Sequence, residues 1–235
     1  MSSLLPFFPS PPGEFATIAL VSSYLLVIVV TAEGLNRLSH TTAEFTRKIV
    51  HIGSGNVILF AWWLQVPPWI GLGASFVASL IALVSYFLPI LPSLNSVGRQ
   101  SLGTFFYAIS IGLLVAVFFP QLPYYGVIGV LVMAWGDGLA ALVGQRWGKH
   151  KYRVWGNGKS WEGSLTMLGV SFGVTLCILV SVYGNCGILW GIAGLVAIAA
   201  TVLESFSNFG LDNLTVPLGS AGLCFYLMSW WGMSL

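Results

Sequence analysis

The sequence predicts an all-α fold: a polytopic transmembrane helical bundle of about eight spans, seven at the lowest count. Three observations lead there. Of 235 residues, nine are Lys or Arg and seven are Asp or Glu. That is 7% charged, against about 25% in a soluble domain. Hydrophobic residues make up 57%, and mean hydropathy is +0.89. The apolar sequence runs in long blocks, not in the short alternating segments of an outer-membrane barrel. So few charges cannot cover a water-facing surface, which excludes a soluble enzyme, and the apolar content excludes a disordered chain. A net charge of +2 gives no reason to expect nucleic acid as a partner. Cys177, Cys186 and Cys224 lie scattered in apolar sequence with no CxxC, so they read as packing residues.

The spans fall at about 16–33, 48–65, 69–88, 101–119, 124–145, 161–183, 187–206 and 216–233. The last two are the weakest, since Gly219 and Gly222 interrupt the eighth. No repeat and no long linker divides the chain, so residues 1–235 form one integral-membrane domain, with 1–14 as a short non-spanning segment. That segment is rich in proline and lacks Lys and Arg up to Pro12, unlike a signal or transit peptide. Span one is therefore expected to be retained. Arg37, Arg47 and Lys48 lie between or at the edges of spans one and two, and Arg99 lies between three and four. Arg146, Lys149, Lys151, Arg153 and Lys159 lie between five and six. The alternate connections carry no basic residue. Every Lys and Arg thus falls on one side, the cytoplasm or plastid stroma, and both termini face the other way. Frequent glycines, such as Gly169/Gly173 and Gly187/Gly191, suit close helix packing within a chain or between chains, so the oligomeric state stays open.

Five carboxylates fall at or near the basic face: Glu44, Asp137, Glu162, Glu204 and Asp212. Ionisable groups in a membrane are costly and mark function. Around Glu44-Phe-Thr-Arg47-Lys48-Ile-Val-His51, Arg47, Lys48 and His51 share a helical face at a helix start, where an anion would bind. The bland alternative is a topology-setting basic pair, with Glu44 and Lys48 paired at i,i+4. Asp137 sits between two glycines inside an apolar span, as a metal ligand, proton acceptor or partner to a cation. The stretch Gly156-Asn157-Gly158-Lys159-Ser160-Trp161-Glu162 fails as a P-loop, because Arg153 stands where that motif needs Gly. It reads as a flexible Gly-rich connection into a helix capped by Ser160, with Lys159 as a point charge for phosphate. Glu204 and Asp212 can approach one another if the chain turns at Gly210, and a hard divalent ion wants such oxygens. Carboxylates for a metal, cations for phosphates and a lipid-facing bundle suit phosphoryl or nucleotidyl transfer to a membrane-dissolved alcohol.

Four ordered blocks carry a resemblance. They are Arg47-Lys48-Ile-Val-His51-Ile-Gly53, Gly136-Asp137-Gly138 through Gly148, Lys159-Ser160-Trp161-Glu162-Gly163-Ser164, and Glu204 followed by Asp212-Asn213-Leu-Thr-Val-Pro217. In that order they resemble the polytopic polyprenol kinases, most closely the phytol kinases of cyanobacteria and plastids, and the dolichol kinases more distantly. The blocks run from residue 44 to 217. The resemblance implies transfer of a γ-phosphoryl group from CTP to phytol or a related isoprenoid alcohol such as geranylgeraniol, with Mg²⁺, in phytol salvage for tocopherol synthesis. It places the protein in a cyanobacterial or plastid membrane. On that reading Asp137 ligates Mg²⁺ or accepts the hydroxyl proton. Lys159, Arg47 and Lys48 hold the triphosphate, with Ser160 and Asn213 beside them. Glu162, Glu204 and Asp212 complete the metal site, and His51 orients a phosphate or the alcohol. Many members of that family carry two acids before the asparagine; Leu211-Asp212 keeps one. Two rivals stand beside this reading: a CTP-dependent nucleotidyltransferase on a lipid, and a prenyl-lipid transporter or flippase. A transporter would keep its polar groups near the midplane.

Overall fold

The computed structural model describes residues 13–38, 42–87, 102–155 and 157–233. The N-terminal segment to Pro12, Arg99 and Gly156 lie outside the described residues. The chain forms α1 (Glu14–Leu38), α2 (Ala43–Gly55), α3 (Val57–Trp63), α4 (Pro68–Phe87), α5 (Gly103–Phe118) and α6 (Pro123–Leu131). A π-helical turn (Val132–Asp137) joins α6 to α7 (Gly138–Trp147). A hairpin of β1 (Lys151–Val154) and β2 (Asn157–Ser160) then leads into α8 (Trp161–Tyr183), α9 (Gly187–Ser205) and α10 (Asp212–Trp230).

An all-α bundle is what forms. Among the described residues, five helical stretches are long and apolar enough to cross a membrane: Glu14–Leu35, Pro68–Phe87, Pro123–Trp147, Trp161–Tyr183 and Gly187–Ser205. The helix Gly103–Phe118 is apolar but shorter. The expected span 48–65 differs most. Its helix begins at Ala43, where Thr42 caps it by accepting from the Phe45 N–H, and it breaks at Asn56. The last helix starts at Asp212, four residues earlier than expected, and Pro217 sits inside it. The stretch expected as a flexible connection from Gly156 instead supplies a strand, Asn157–Ser160, which pairs antiparallel with Lys151–Val154.

The core is organised around the stretch Pro123–Trp147. Tyr125, Val127, Ile128, Val130, Val132, Met133 and Ala134 are fully buried, packed by α5, α8 and α10. Small residues allow that approach. A Cβ on Gly129 would lie 2.5 Å from the Pro217 carbonyl oxygen, and one on Gly55 would lie 2.3 Å from the Ala134 Cβ. By contrast α1 and α4 expose Leu26, Val27, Phe76 and Val77, the surface lipid would cover.

Candidate active site

α2 brings its cations to the π-helical turn. Lys48 Nζ donates to Asp137 Oδ2 at 2.5 Å, and both side chains are buried. This overturns the Glu44–Lys48 pairing considered from sequence. Glu44 instead takes Arg47 in a two-pronged bond of 2.6 and 2.9 Å. The i,i+3 spacing suits Arg47, while Lys48 points inward to a carboxylate that would otherwise be unpaired. A single wide turn in an otherwise α-helical span marks many functional sites, because it re-aims side chains and loosens the backbone ladder. Here that turn ends on Asp137.

His51, one turn beyond Lys48, is largely but not fully covered, with Nε2 3.6 Å from Asp137 Oδ2. That nitrogen has no hydrogen-bond partner among the described residues, and the Met133 backbone faces the same ring. The Tyr107 ring of α5 meets that of His51 at 4.6 Å, tilted by 52°, and its hydroxyl donates to the His51 carbonyl at 2.9 Å. On the other side of α2, Trp135 Nε1 donates to Asn56 Oδ1 at 2.7 Å. Asn56 Nδ2 donates to the Tyr24 hydroxyl, which donates to the Gly53 carbonyl at 3.0 Å. Tyr24, Asn56, Tyr107 and Trp135 thus tie α2 to three neighbours. Sequence reasoning missed all four. Asn56, a lone amide in an apolar run, was the available signal.

The second cation comes from the hairpin. Lys159 on β2 donates to the Glu204 carboxylate and, at 3.1 Å, to the Glu204 carbonyl at the end of α9. Burial alone would lower the Lys159 pKa, but the Glu204 charge and hydrogen bond outweigh it and hold it above its ordinary value. After Glu204 the chain reverses through Phe209 and Gly210, both at positive φ, and delivers Asp212 to the start of α10. Burial, then the Asp137 charge, pushes the Asp212 carboxyl up to about 6. Lys48 and Lys159 act on Asp212 from the other direction, and Arg47 feels both Asp137 and Asp212. Beside it Asn213 is buried, and its Oδ1 has no hydrogen-bond partner among the described residues. Pro217 has no N–H to offer the carbonyl one turn back, that of Asn213.

The structure therefore gathers Arg47, Lys48, His51, Asp137, Lys159, Glu204, Asp212 and Asn213. It does not bring Glu162 to them. Glu162 accepts from the His150 ring at 2.8 Å and from the His150 backbone N–H at 3.2 Å, closing the loop that precedes the hairpin. Ser160 Oγ is buried and accepts from the Gly163 N–H at 3.1 Å, so it caps α8 as its sequence position predicts. Among the described residues no three His, Cys, Asp or Glu groups are placed to cage a metal ion. Two carboxylates with an orphan amide oxygen still fit Mg²⁺, which takes few protein ligands and completes its shell with water and substrate phosphates.

Apolar helices long enough to span a membrane, with cations and carboxylates brought together among them, suit a membrane enzyme that handles phosphate groups. The "Phytol kinase" of Synechocystis sp. is 59% identical over 219 residues, 93% of this chain and 92% of that protein. "Phytol kinase 1, chloroplastic" of Arabidopsis thaliana is 30% identical over 230 residues, 87% of this chain and 73% of that one. The chain belongs to the phytol kinase family. No family model and no solved structure matches it.

Proposed function

We propose that this protein transfers the γ-phosphoryl group of CTP to the hydroxyl of phytol or a related isoprenoid alcohol, serving phytol salvage for tocopherol synthesis. One observation carries the reading beyond the family name. Lys48, Asp137, Lys159, Glu204 and Asp212 come from five separate segments and converge on one charged cluster. In the reaction the alcohol oxygen forms a bond to the γ-phosphorus, the bond to the β–γ bridging oxygen breaks, and the hydroxyl proton must leave. Such transfer depends on positioning and charge neutralisation. Lys159, Arg47 and Lys48 hold the triphosphate oxygens, and Asp137 takes the hydroxyl proton. His51 orients the alcohol through its free Nε2. Asp212 and the Asn213 side-chain oxygen would hold Mg²⁺, joined by Asp137 only if another group takes the proton, with Glu204 behind them holding Lys159. When bound, the ion would neutralise charge on the phosphates. Glu162 and Ser160 act by shaping the hairpin and the start of α8.

The two lysine–carboxylate pairs support this reading. Each lysine that phosphate would attract is matched meanwhile by a carboxylate, so neither charge is left bare in a dry environment. The alcohol tail would lie between helices in the bilayer. The charged cluster faces the cytoplasm or stroma, with both termini opposite. The test uses purified protein, Mg²⁺ and γ-labelled CTP with phytol, geranylgeraniol or dolichol. Label in an extractable prenyl phosphate is the expected result. Label only in pyrophosphate would make the protein a nucleotidyltransferase. No transfer from folded protein, with any alcohol or nucleotide, would favour a transporter.

A further inference from the structure

We propose that the outward face of the hairpin is a seat for anionic lipid headgroups, independent of the reaction at the charged cluster. Alternation along β1 sends Lys151, Arg153 and the turn residue Trp155 outward, and Tyr152 and Val154 inward. The inner face is fastened. The Tyr152 hydroxyl lies 2.6 Å from Ser164 Oγ and 3.1 Å from Ser205 Oγ, and Lys159 is held by Glu204. These contacts direct the basic face away from the site.

On the outer face Trp155 meets the edge of the Phe206 ring at 6.1 Å, and the basic residues of that face stand apart from any acid among the described residues. No carboxylate pairs with Lys149, Lys151 or Arg153 among the described residues. Glu162, the acid of this segment, is occupied by His150. Three exposed indoles border the hairpin: Trp155, 76% exposed, at its tip; Trp147, 59% exposed, with the Arg146 guanidinium 5.3 Å over its ring; and Trp161, 61% exposed, beside the inner-face Tyr152 at 5.5 Å. Trp155 adopts φ 48°, a conformation costly for a bulky side chain, and so presents its ring at the hairpin tip. Trp with Lys and Arg is the composition of the bilayer interface: indoles sit at headgroup depth, and basic residues attract acidic lipids. The position agrees, because the hairpin links α7 and α8, both parts of stretches long and apolar enough to enter the bilayer. A polyanionic nucleotide is the other partner such charges could take. It is disfavoured because the lysine of β2 that reaches the cluster, Lys159, lies on the opposite face.

The full-length protein tests this with a nitroxide label at Trp155→Cys. Cys177 and Cys186 are replaced by Ser and the buried Cys224 by Ala. Discs of phosphatidylcholine alone are compared with discs containing phosphatidylglycerol. In the acidic discs the label should collide with lipid-dissolved oxygen and be shielded from an aqueous nickel chelate. In neutral discs, in high salt, and in Lys149→Gln/Lys151→Gln/Arg153→Gln, nickel collision should rise about fivefold or more. The charge-keeping Lys149→Arg/Lys151→Arg variant should retain the shielding. Equal nickel access in all discs, or loss of shielding in the charge-keeping variant, overturns the proposal. A triple variant whose nucleotide KM rises in detergent, with shielding unaffected by lipid charge, makes the face a nucleotide collector and overturns it too.

Discussion

Asp137 and Glu162 are both carboxylates with a basic partner, yet their surroundings give them different work. Asp137 lies inside a bundle, with Lys48 buried against it. Glu162 sits at a helix start and is met by His150, whose side chain is 80% exposed. A buried charge is kept only with a partner, so each member depends on the other, whereas an exposed pair is screened and contributes little. Burial thus separates an acid that chemistry can use from one that shapes a loop.

The sharpest way to break this contrast is Asp137→Asn. It should reduce phosphorylation by roughly a hundredfold or more while the protein stays inserted; activity near the parent value would remove Asp137 from the reaction. Lys48→Met should cost about 3–5 kcal/mol of stability by stranding Asp137. Thermal unfolding in detergent should then show Lys48→Met/Asp137→Leu recovering much of that loss without recovering activity. If the double variant is no more stable than the single ones, the pair is not the source of the cost.

Next in size is Lys159→Ala, for which initial-rate kinetics should show a nucleotide KM about tenfold higher. An unchanged nucleotide KM and kcat would leave Lys159 as a tie to α9 only. Gly129→Ala probes the packing behind the cluster. Its methyl would press on the Pro217 carbonyl, which is backbone and cannot swing away. A loss of about 1–3 kcal/mol is expected in the same unfolding measurement. The smallest effect belongs to Glu162→Gln, where rates should stay within about twofold of the parent. A loss as large as that of Asp137→Asn would return Glu162 to the catalytic set.

Much of this was legible in the sequence. The membrane class follows from charge scarcity, and the order of the apolar blocks follows from hydropathy. Arg47, Lys48, Asp137, Lys159, Glu204 and Asp212 stand out because ionisable groups in apolar sequence need a reason. The supports of α2 were not legible. Tyr24, Tyr107 and Trp135 read as ordinary aromatic residues of apolar spans, and only their hydroxyl and indole partners distinguish them. The hairpin was hidden for another reason. Its strands are only four residues each, and Asn157, Gly158, Lys159 and Ser160 of β2 include no β-branched or aromatic residue, so local preference gave little strand signal. Pairing to each other and to α8 and α9 decided it.

By itself, then, the sequence determined which residues must leave water, since transfer free energy acts on each residue wherever its neighbours lie. Only the tertiary structure decided who partners whom. Lys48 chose Asp137 over Glu44, Lys159 chose Glu204, and Glu162 turned to His150. Those choices join residues up to 89 positions apart. They depend on glycine-allowed helix approach, a wide turn at Asp137 and a chain reversal at Gly210, geometry that no local pattern of residues encodes.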